Sequence, residues 1–203
     1  MHSRFVHAVE IIGARGRGDD RASVFERDDG LVIALADGAG GTANGAKAAQ
    51  AVIDAAGASV DRTSDWGSLL SVLDRDVGRL AHGQTTAVVL TVGPDGIVGA
   101  SVGDSGAWLI SAGDAIDLTD GQTRKPLVGA GCHPFRVEAE SLGIQTLLVA
   151  SDGLLRYAKR DAIVRIANGE DLPEAARALV DLVKLPTGGL QDDVSIVLCR
   201  QLR

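Results

Sequence analysis

The hydrophobic positions fall into short blocks with two different periods. Phe5 to Ile12, Ala22 to Glu26, Ile97 to Val102, Ala107 to Ser111, Ala115 to Leu118, Phe135 to Glu140 and Val194 to Cys199 predict strands, with Gly, Pro, Asp and Ser punctuating the chain between blocks. Leu31 to Ala36 is a continuous apolar run, as in a buried strand, and Thr146 to Ala150 also reads as strand. Thr85 to Val92 is β-rich and runs into Pro94-Asp95-Gly96, a hairpin signal. Helical spacing appears at Ala46, Ala49, Val52, Ile53 and Ala56, with Thr42 or Asn44 as cap. It recurs from Ser64 or Asp65 onward, at Trp66, Leu69, Leu70, Leu73, Val77 and Leu80. Leu154 to Ala158, Asp161 to Ala167 and Pro173 to Val183 also read as helices, the last with Pro173 in its first turn. Residues 119–134 have no regular period. Runs of strands beside runs of helices predict an α+β fold with mostly antiparallel pairing.

Composition narrows this. The chain has 203 residues, 45% hydrophobic, which is enough for one domain spanning 1–203 with a sizeable core. Only 3% are aromatic, so that core is aliphatic. The net charge of −7 argues against nucleic acid or an anionic membrane as partner. No apolar run reaches the roughly 20 residues of a membrane span, and the N-terminus is not of signal-peptide type, so a cytoplasmic protein is expected. Cys132 and Cys199, far apart, fit neither a disulfide scaffold nor a Cys-rich zinc site.

The acidic residues carry the chemistry. Of 27 acidic residues most are Asp, the short carboxylate of turns and of hard-cation sites. Several stand where an apolar strand stops or starts: Asp19-Asp20, Asp37, Asp104, Asp152 and Asp192-Asp193. Strand-end carboxylates can project together at one sheet edge, where they repel unless a cation sits among them. Oxygen ligands without an accompanying His select Mg²⁺, Mn²⁺ or Ca²⁺ over zinc. Gly38, next to Asp37, lets the backbone come close enough for its carbonyl to act as ligand. A single Asp-Gly is more often a turn than a ligand; a set of five short motifs in order, two of them Asp-Gly, is a different matter.

Those motifs are Ala-Asp-Gly-Ala-Gly-Gly, Gly-Gln-Thr-Thr-Ala, Gly-Asp-Ser-Gly-Ala, Ala-Ser-Asp-Gly-Leu and Asp-Asp-Val-Ser-Ile-Val. Together, from about Arg15 to Arg200, the sequence resembles the type-2C metal-dependent serine/threonine protein phosphatases. The resemblance implies a four-layer α/β/β/α sandwich, two antiparallel sheets flanked by helices. It implies two Mn²⁺ or Mg²⁺ ions, with Asp37 bridging them, the Gly38 carbonyl on one, and Asp152 and Asp192 on the other. Asp20 belongs to the early acidic pair of the metal site, and Asp104 helps hold a weaker third ion. The resemblance also implies that Arg15 grips the substrate phosphate. The implied reaction is hydrolysis of phosphoserine or phosphothreonine in a protein, by water activated between the metals, reversing a Ser/Thr kinase.

Departures from the family pattern are Gly18 where Asn is usual, Ala39 where some members have His, and Gly106 where Arg is usual. The interval from Asp104 to Asp152, 152 − 104 = 48 residues, is short and implies a reduced flap beside the site. Two rival readings remain: a catalytically silent binding or regulatory module, and a phosphatase of small molecules. A monomer is expected. Trp66 and Trp108 are expected in the core, and Arg156, Lys159 and Arg160 at a solvated helix end.

Overall fold

The computed structural model describes residues 4–14, 16, 18–39, 44–59, 65–81 and 83–202, with the backbone only at 80 and 81. Arg15, Thr42, Ser64, His82 and the Leu80 side chain therefore lie outside the described residues.

Among the described residues, ten strands form two antiparallel sheets. They are β1 (Phe5–Ile12), β2 (Arg21–Glu26), β3 (Leu31–Ala36), β4 (Ala87–Gly93), β5 (Gly96–Val102), β6 (Gly106–Ser111), β7 (Asp114–Asp117), β8 (Phe135–Ala139), β9 (Thr146–Ala150) and β10 (Val194–Gln201). One sheet runs β1-β10-β9-β6-β7 and the other β2-β3-β4-β5-β8. The helices are α1 (Gly45–Ala58), α2 (Trp66–Asp76), α3 (Asp152–Leu155), α4 (Arg160–Ala167) and α5 (Leu172–Leu182).

Three apolar layers stack. Between the sheets lie Leu31, Ile33, Leu35, Val88, Leu90, Val149 and Val197. On one outer face α1 and α2 bury Val52, Ile53 and Leu70 against Val32, Ala34 and Val89. On the other, α4 and α5 bury Ile163, Ala176 and Leu179 against Ile110, Leu148, Ile196 and Leu198. The result is the expected α/β/β/α sandwich. It also explains the unbroken apolar run of β3: odd residues face the other sheet and even residues face α1, so no position meets water.

Local chemistry sets the helix ends. The side chain of Asp65 accepts a hydrogen bond from the Ser68 N–H at 3.1 Å, capping α2. Asp171 does the same for α5 through the Glu174 N–H at 2.7 Å, with Pro173 in the first turn. Asn44 occupies the cap position of α1, but its side chain makes no capping bond.

Three elements depart from the sequence reading, and the irregular stretch at 119–134 is as expected. Thr85 is not in β4; it bridges Gly38 and Val128 instead, and the strand begins at Ala87. The helix read at Leu154 to Ala158 is the single turn α3, which begins at Asp152. The helix read through Leu80 gives way after Asp76 to a π-helical turn, Val77–Ala81, which leaves Val77 buried. Between β7 and β8 the chain forms a strap, residues 118–134, with turns but no helix or strand. No helix of the described residues is long and apolar enough to cross a membrane.

Candidate metal centre

The registers of the two sheets bring the strand-end carboxylates to one edge. Arg21, the first residue of β2, pairs with Ala36, the last of β3, so Asp20 and Asp37 sit side by side. Ile12 at the end of β1 pairs with Val194 at the start of β10, which brings the loop before β2 to Asp192-Asp193. Ala150 at the end of β9 pairs with Ile196, which sets Asp152 beside the same loop. Asp104 follows β5, whose last residue Val102 pairs with Ala87 at the start of β4.

A cleft of about 580 Å³ opens there. Asp19, Asp37, Asp104, Asp152, Asp192 and Asp193 line it, with the Gly38 backbone in its wall and Arg124 and Lys125 at its rim. Asp20 does not line the cleft: it lies beneath, 1% exposed, and neither of its carboxylate oxygens has a hydrogen-bond partner. The Ser151 and Ser195 hydroxyls stand near enough to oppose the effect of burial on it, but neither closes a bond of normal geometry.

The electrostatics follow from this crowding. Burial, and then the charges of Asp20 and Asp152, push the Asp37 carboxyl far up, to about 9. Burial likewise raises Asp20, to about 6. Burial and the charges of Asp104 and Asp192 raise Asp152 too, against the pull of Arg156 and Arg124. Three neighbouring carboxyls that all resist ionisation form a site deficient in positive charge. Among the described residues, no three His, Cys, Asp or Glu side chains are gathered closely enough to hold an ion as they stand.

The adjacent Asp193 has a different role. Its oxygens accept from the Ala14 N–H at 2.7 Å and the Asp19 N–H at 2.6 Å, tying the early loop to the last strand. Gly18 makes room for it, since a Cβ there would lie 2.5 Å from Asp193 Oδ2. The absence of Asn at position 18 thus has a steric reason. A Cβ on Gly153 would collide with the Asp193 carbonyl, so this glycine lets the Asp152 turn pack against the Asp192 turn. Asp37 is held by its own backbone: its N–H donates to Thr86 Oγ1 at 2.9 Å, and that hydroxyl shares a 2.7 Å hydrogen bond with Ser105 Oγ.

The structure therefore brings together Asp37, Gly38, Asp104, Asp152 and Asp192, and places Asp20 under them; Arg15 is outside the described residues. Arg124 and Lys125, at the cleft rim, lie in the irregular stretch, where only the adjacent basic pair before Pro126 marks them. Asp74 is a further structural residue that no motif marks. Its Oδ1 accepts from the N–H groups of Gly129, Ala130, Gly131 and Cys132 at 2.7–3.1 Å, clamping the strap to α2. Arg160 is not simply solvated: its guanidinium lies 4.9 Å from the Trp108 ring centroid and donates to the Ala115 carbonyl.

No protein-family model matches the chain, and no curated protein matches it. Solved structures do. The serine/threonine phosphatase PstP/Ppp of Mycobacterium tuberculosis matches with a TM-score of 0.79 at 22% identity, over 98% of this chain and 99% of that one. The PstP catalytic domain in complex with two manganese ions matches with a TM-score of 0.79 at 21% identity, over 98% and 99%. The S. agalactiae serine/threonine phosphatase matches with a TM-score of 0.82 at 19% identity, over 98% and 100%. At these identities the likeness shows the fold: this chain has the sandwich of those phosphatases.

Proposed function

We propose that this protein is a Mn²⁺- or Mg²⁺-dependent phosphatase acting on phosphoserine and phosphothreonine in proteins. The observation that carries the reading is the meeting of Asp37, Asp104, Asp152 and Asp192 in one cleft over the buried, unpartnered carboxylate of Asp20. A buried carboxylate without a donor requires either a proton or a cation. The donor set is oxygen only, which fits a hard divalent ion. The fold shared with serine/threonine phosphatases, one of them solved with two manganese ions, supports the same reading.

On this reading Asp20, Asp37, the Gly38 carbonyl, Asp152 and Asp192 hold two ions, and Asp104 contributes to a weaker third. Bound there, the ions would supply the Lewis acidity that brings the ionisation of water towards neutral pH. The remaining work falls to the chain. Asp37, central among the carboxylates, is the residue whose loss costs most. Arg15 contacts the substrate phosphate, and Arg124 and Lys125 supply further positive charge at the cleft rim. Ala39 has no proton to give, so the departing serine or threonine oxygen takes its proton from water in the cleft. The whole chain acts as one domain with the strap as a reduced flap. It works as a cytoplasmic monomer opposing a Ser/Thr kinase, and its acidity disfavours nucleic acid and membrane partners.

The test is hydrolysis of p-nitrophenyl phosphate and of a phosphoserine peptide with EDTA, Mg²⁺ or Mn²⁺, for wild type, Asp37→Asn and Asp152→Asn. Turnover of both substrates that needs metal and is lost in both variants is expected. Turnover of p-nitrophenyl phosphate alone would identify a small-molecule phosphatase. No metal-dependent turnover by a folded wild type would overturn the enzyme reading in favour of a silent binding module.

A further inference from the structure

The strap between β7 and β8 is latched at two places, and the cationic rim of the cleft lies between them. At the first latch Gln122 Nε2 donates to the Ser105 carbonyl at 2.7 Å, beside Asp104. At the second, Val128 and Thr85 exchange backbone hydrogen bonds at 3.0 and 3.1 Å. There too the N–H groups of Gly129, Ala130, Gly131 and Cys132 converge on Asp74 Oδ1. The convergence comes from the backbone: Gly129 and Gly131 have φ of +95° and +88°, a region that L side chains rarely adopt, and the curl aims successive N–H groups at one point. Such a concavity takes an anion, and the carboxylate that fills it belongs to α2, 55 residues before Gly129.

Arg124 and Lys125 stand between the latches, exposed and lining the cleft. Among the described residues, 123–126 close no hydrogen bond, so the place of these two charges is set by the ends of the span: Gln122 on one side, the buried Leu127 and Val128 on the other. The backbone at the carboxylates is held by other bonds. Asp37 N–H donates to Thr86 Oγ1, and Thr86 N–H donates to the Asp37 carbonyl, both at 2.9 Å and neither through the strap. Loosening the strap therefore displaces the rim cations and spares the carboxylates. A phosphate entering a cleft walled by Asp side chains is drawn in by cations at its mouth, and charges already held in place lose less entropy on contact than mobile ones.

We propose that Asp74, which does not line the cleft, is a positioning residue for substrate binding: by clamping the strap it fixes Arg124 and Lys125 where the substrate phosphate enters. The proposal rests on the phosphatase reading and adds to it a residue on the outer helix layer that acts only through the strap.

The test measures KM and kcat for p-nitrophenyl phosphate and the Ki of inorganic phosphate, with saturating Mn²⁺ and well below the melting temperature. The proteins are wild type, Asp74→Ala, Asp74→Asn, Gln122→Leu, and Arg124→Ala with Lys125→Ala, the last with and without Asp74→Ala. Hydrogen exchange at 129–132 reports release of the clamp, and the Mn²⁺ dependence of Tm reports the metal site. Asp74→Ala should speed that exchange and raise KM and Ki about three- to fivefold, the size of an exposed charge contact, with kcat and the Mn²⁺ midpoint within about twofold of wild type. Asp74→Asn keeps an acceptor oxygen and should stay near wild type. Gln122→Leu frees the other latch and should raise KM and Ki in the same way, so the outcome does not depend on Asp74→Ala folding. Without Arg124 and Lys125, Asp74→Ala should add nothing further. Unchanged exchange in Asp74→Ala, KM and Ki within about twofold of wild type in both latch variants, an equal rise in the background lacking the rim cations, or a shifted Mn²⁺ midpoint would each overturn the proposal. Failure of the wild type to turn over p-nitrophenyl phosphate at all, with Mn²⁺ present, is a different result: it removes the phosphatase reading and this proposal with it.

Discussion

Asp37 offers a test of the site that needs no substrate. Burial and the charges of Asp20 and Asp152 raise its carboxyl from the ordinary 3.8 to about 9. Between those values the folded protein holds a proton that the unfolded chain has released. Stability of the metal-free protein therefore falls as pH rises through this window and levels off above it. At about 1.4 kcal/mol per pH unit, the 3.2 units from 3.8 to 7 set an upper bound of roughly 4 kcal/mol at pH 7. Coupling to Asp20, which titrates in the same window, puts the figure attributable to Asp37 at roughly 2–4 kcal/mol. Asp65 and Asp74, held low by hydrogen bonds, act only below the ordinary carboxylate value and do not blur this range.

The perturbation is Asp37→Asn. It keeps the shape, removes the charge and leaves the backbone bond to Thr86 intact. Urea unfolding in EDTA at pH 5 and pH 8 is the assay. The wild type should lose stability from pH 5 to pH 8. The variant should lose less, because only Asp20 and Asp152 still titrate high, and at pH 8 it should be the more stable protein by roughly 2–4 kcal/mol. With millimolar Mn²⁺ the order should reverse, because the variant lacks one of the carboxylates of the proposed metal site. A variant less stable than wild type at pH 8 in EDTA, or a wild type indifferent to pH, would refute the account of a site strained by uncompensated charge.

Three further outcomes follow from other parts of the structure. Asp74→Ala removes the acceptor for four backbone N–H groups; water can serve the two exposed ones, so the loss is about 2 kcal/mol, or about 4–8 °C in Tm, with Asp74→Asn milder, as thermal unfolding would show. Gly153→Ala drives a methyl group into the Asp193 carbonyl, and should cost about 1–3 kcal/mol in urea unfolding and weaken Mn²⁺ binding, because the Asp152 and Asp192 turns are forced apart. Mn²⁺ should raise the wild-type Tm, by the equivalent of about 2.7 kcal/mol at a hundredfold excess over Kd, and EDTA should undo the shift; the apparent Kd should tighten as pH rises, because the ion displaces protons from Asp20, Asp37 and Asp152.

What was legible in the chain, and what was not, divides along sequence separation. The run Leu31–Ala36 announces a strand covered on both faces, and the carboxylate following it announces where that strand stops; both signals are local. That Asp37, Asp104, Asp152 and Asp192 share one cleft came from the order of five weak motifs, since no spacing along the chain brings them together; registers such as Arg21 with Ala36 and Ile12 with Val194 do. The pair Asp19-Asp20 shows the limit. Adjacent residues at a strand entry point to opposite sides, and only the packing shows that Asp19 lines the cleft while Asp20 is sealed beneath it. Asp74 carried no signal, because the N–H groups that need it lie 55 to 58 residues further on, in a strap with no period to read. Asp74 and Asp20 are both carboxylates of structural weight, and burial and donors separate them: Asp74 is partly exposed and Asp20 is sealed in. Asp74 accepts from four backbone N–H groups and is held low; Asp20 closes no hydrogen bond of normal geometry, and burial holds it high against the nearby Ser151 and Ser195 hydroxyls. The first needs nothing beyond the chain, and the second is where a cation belongs.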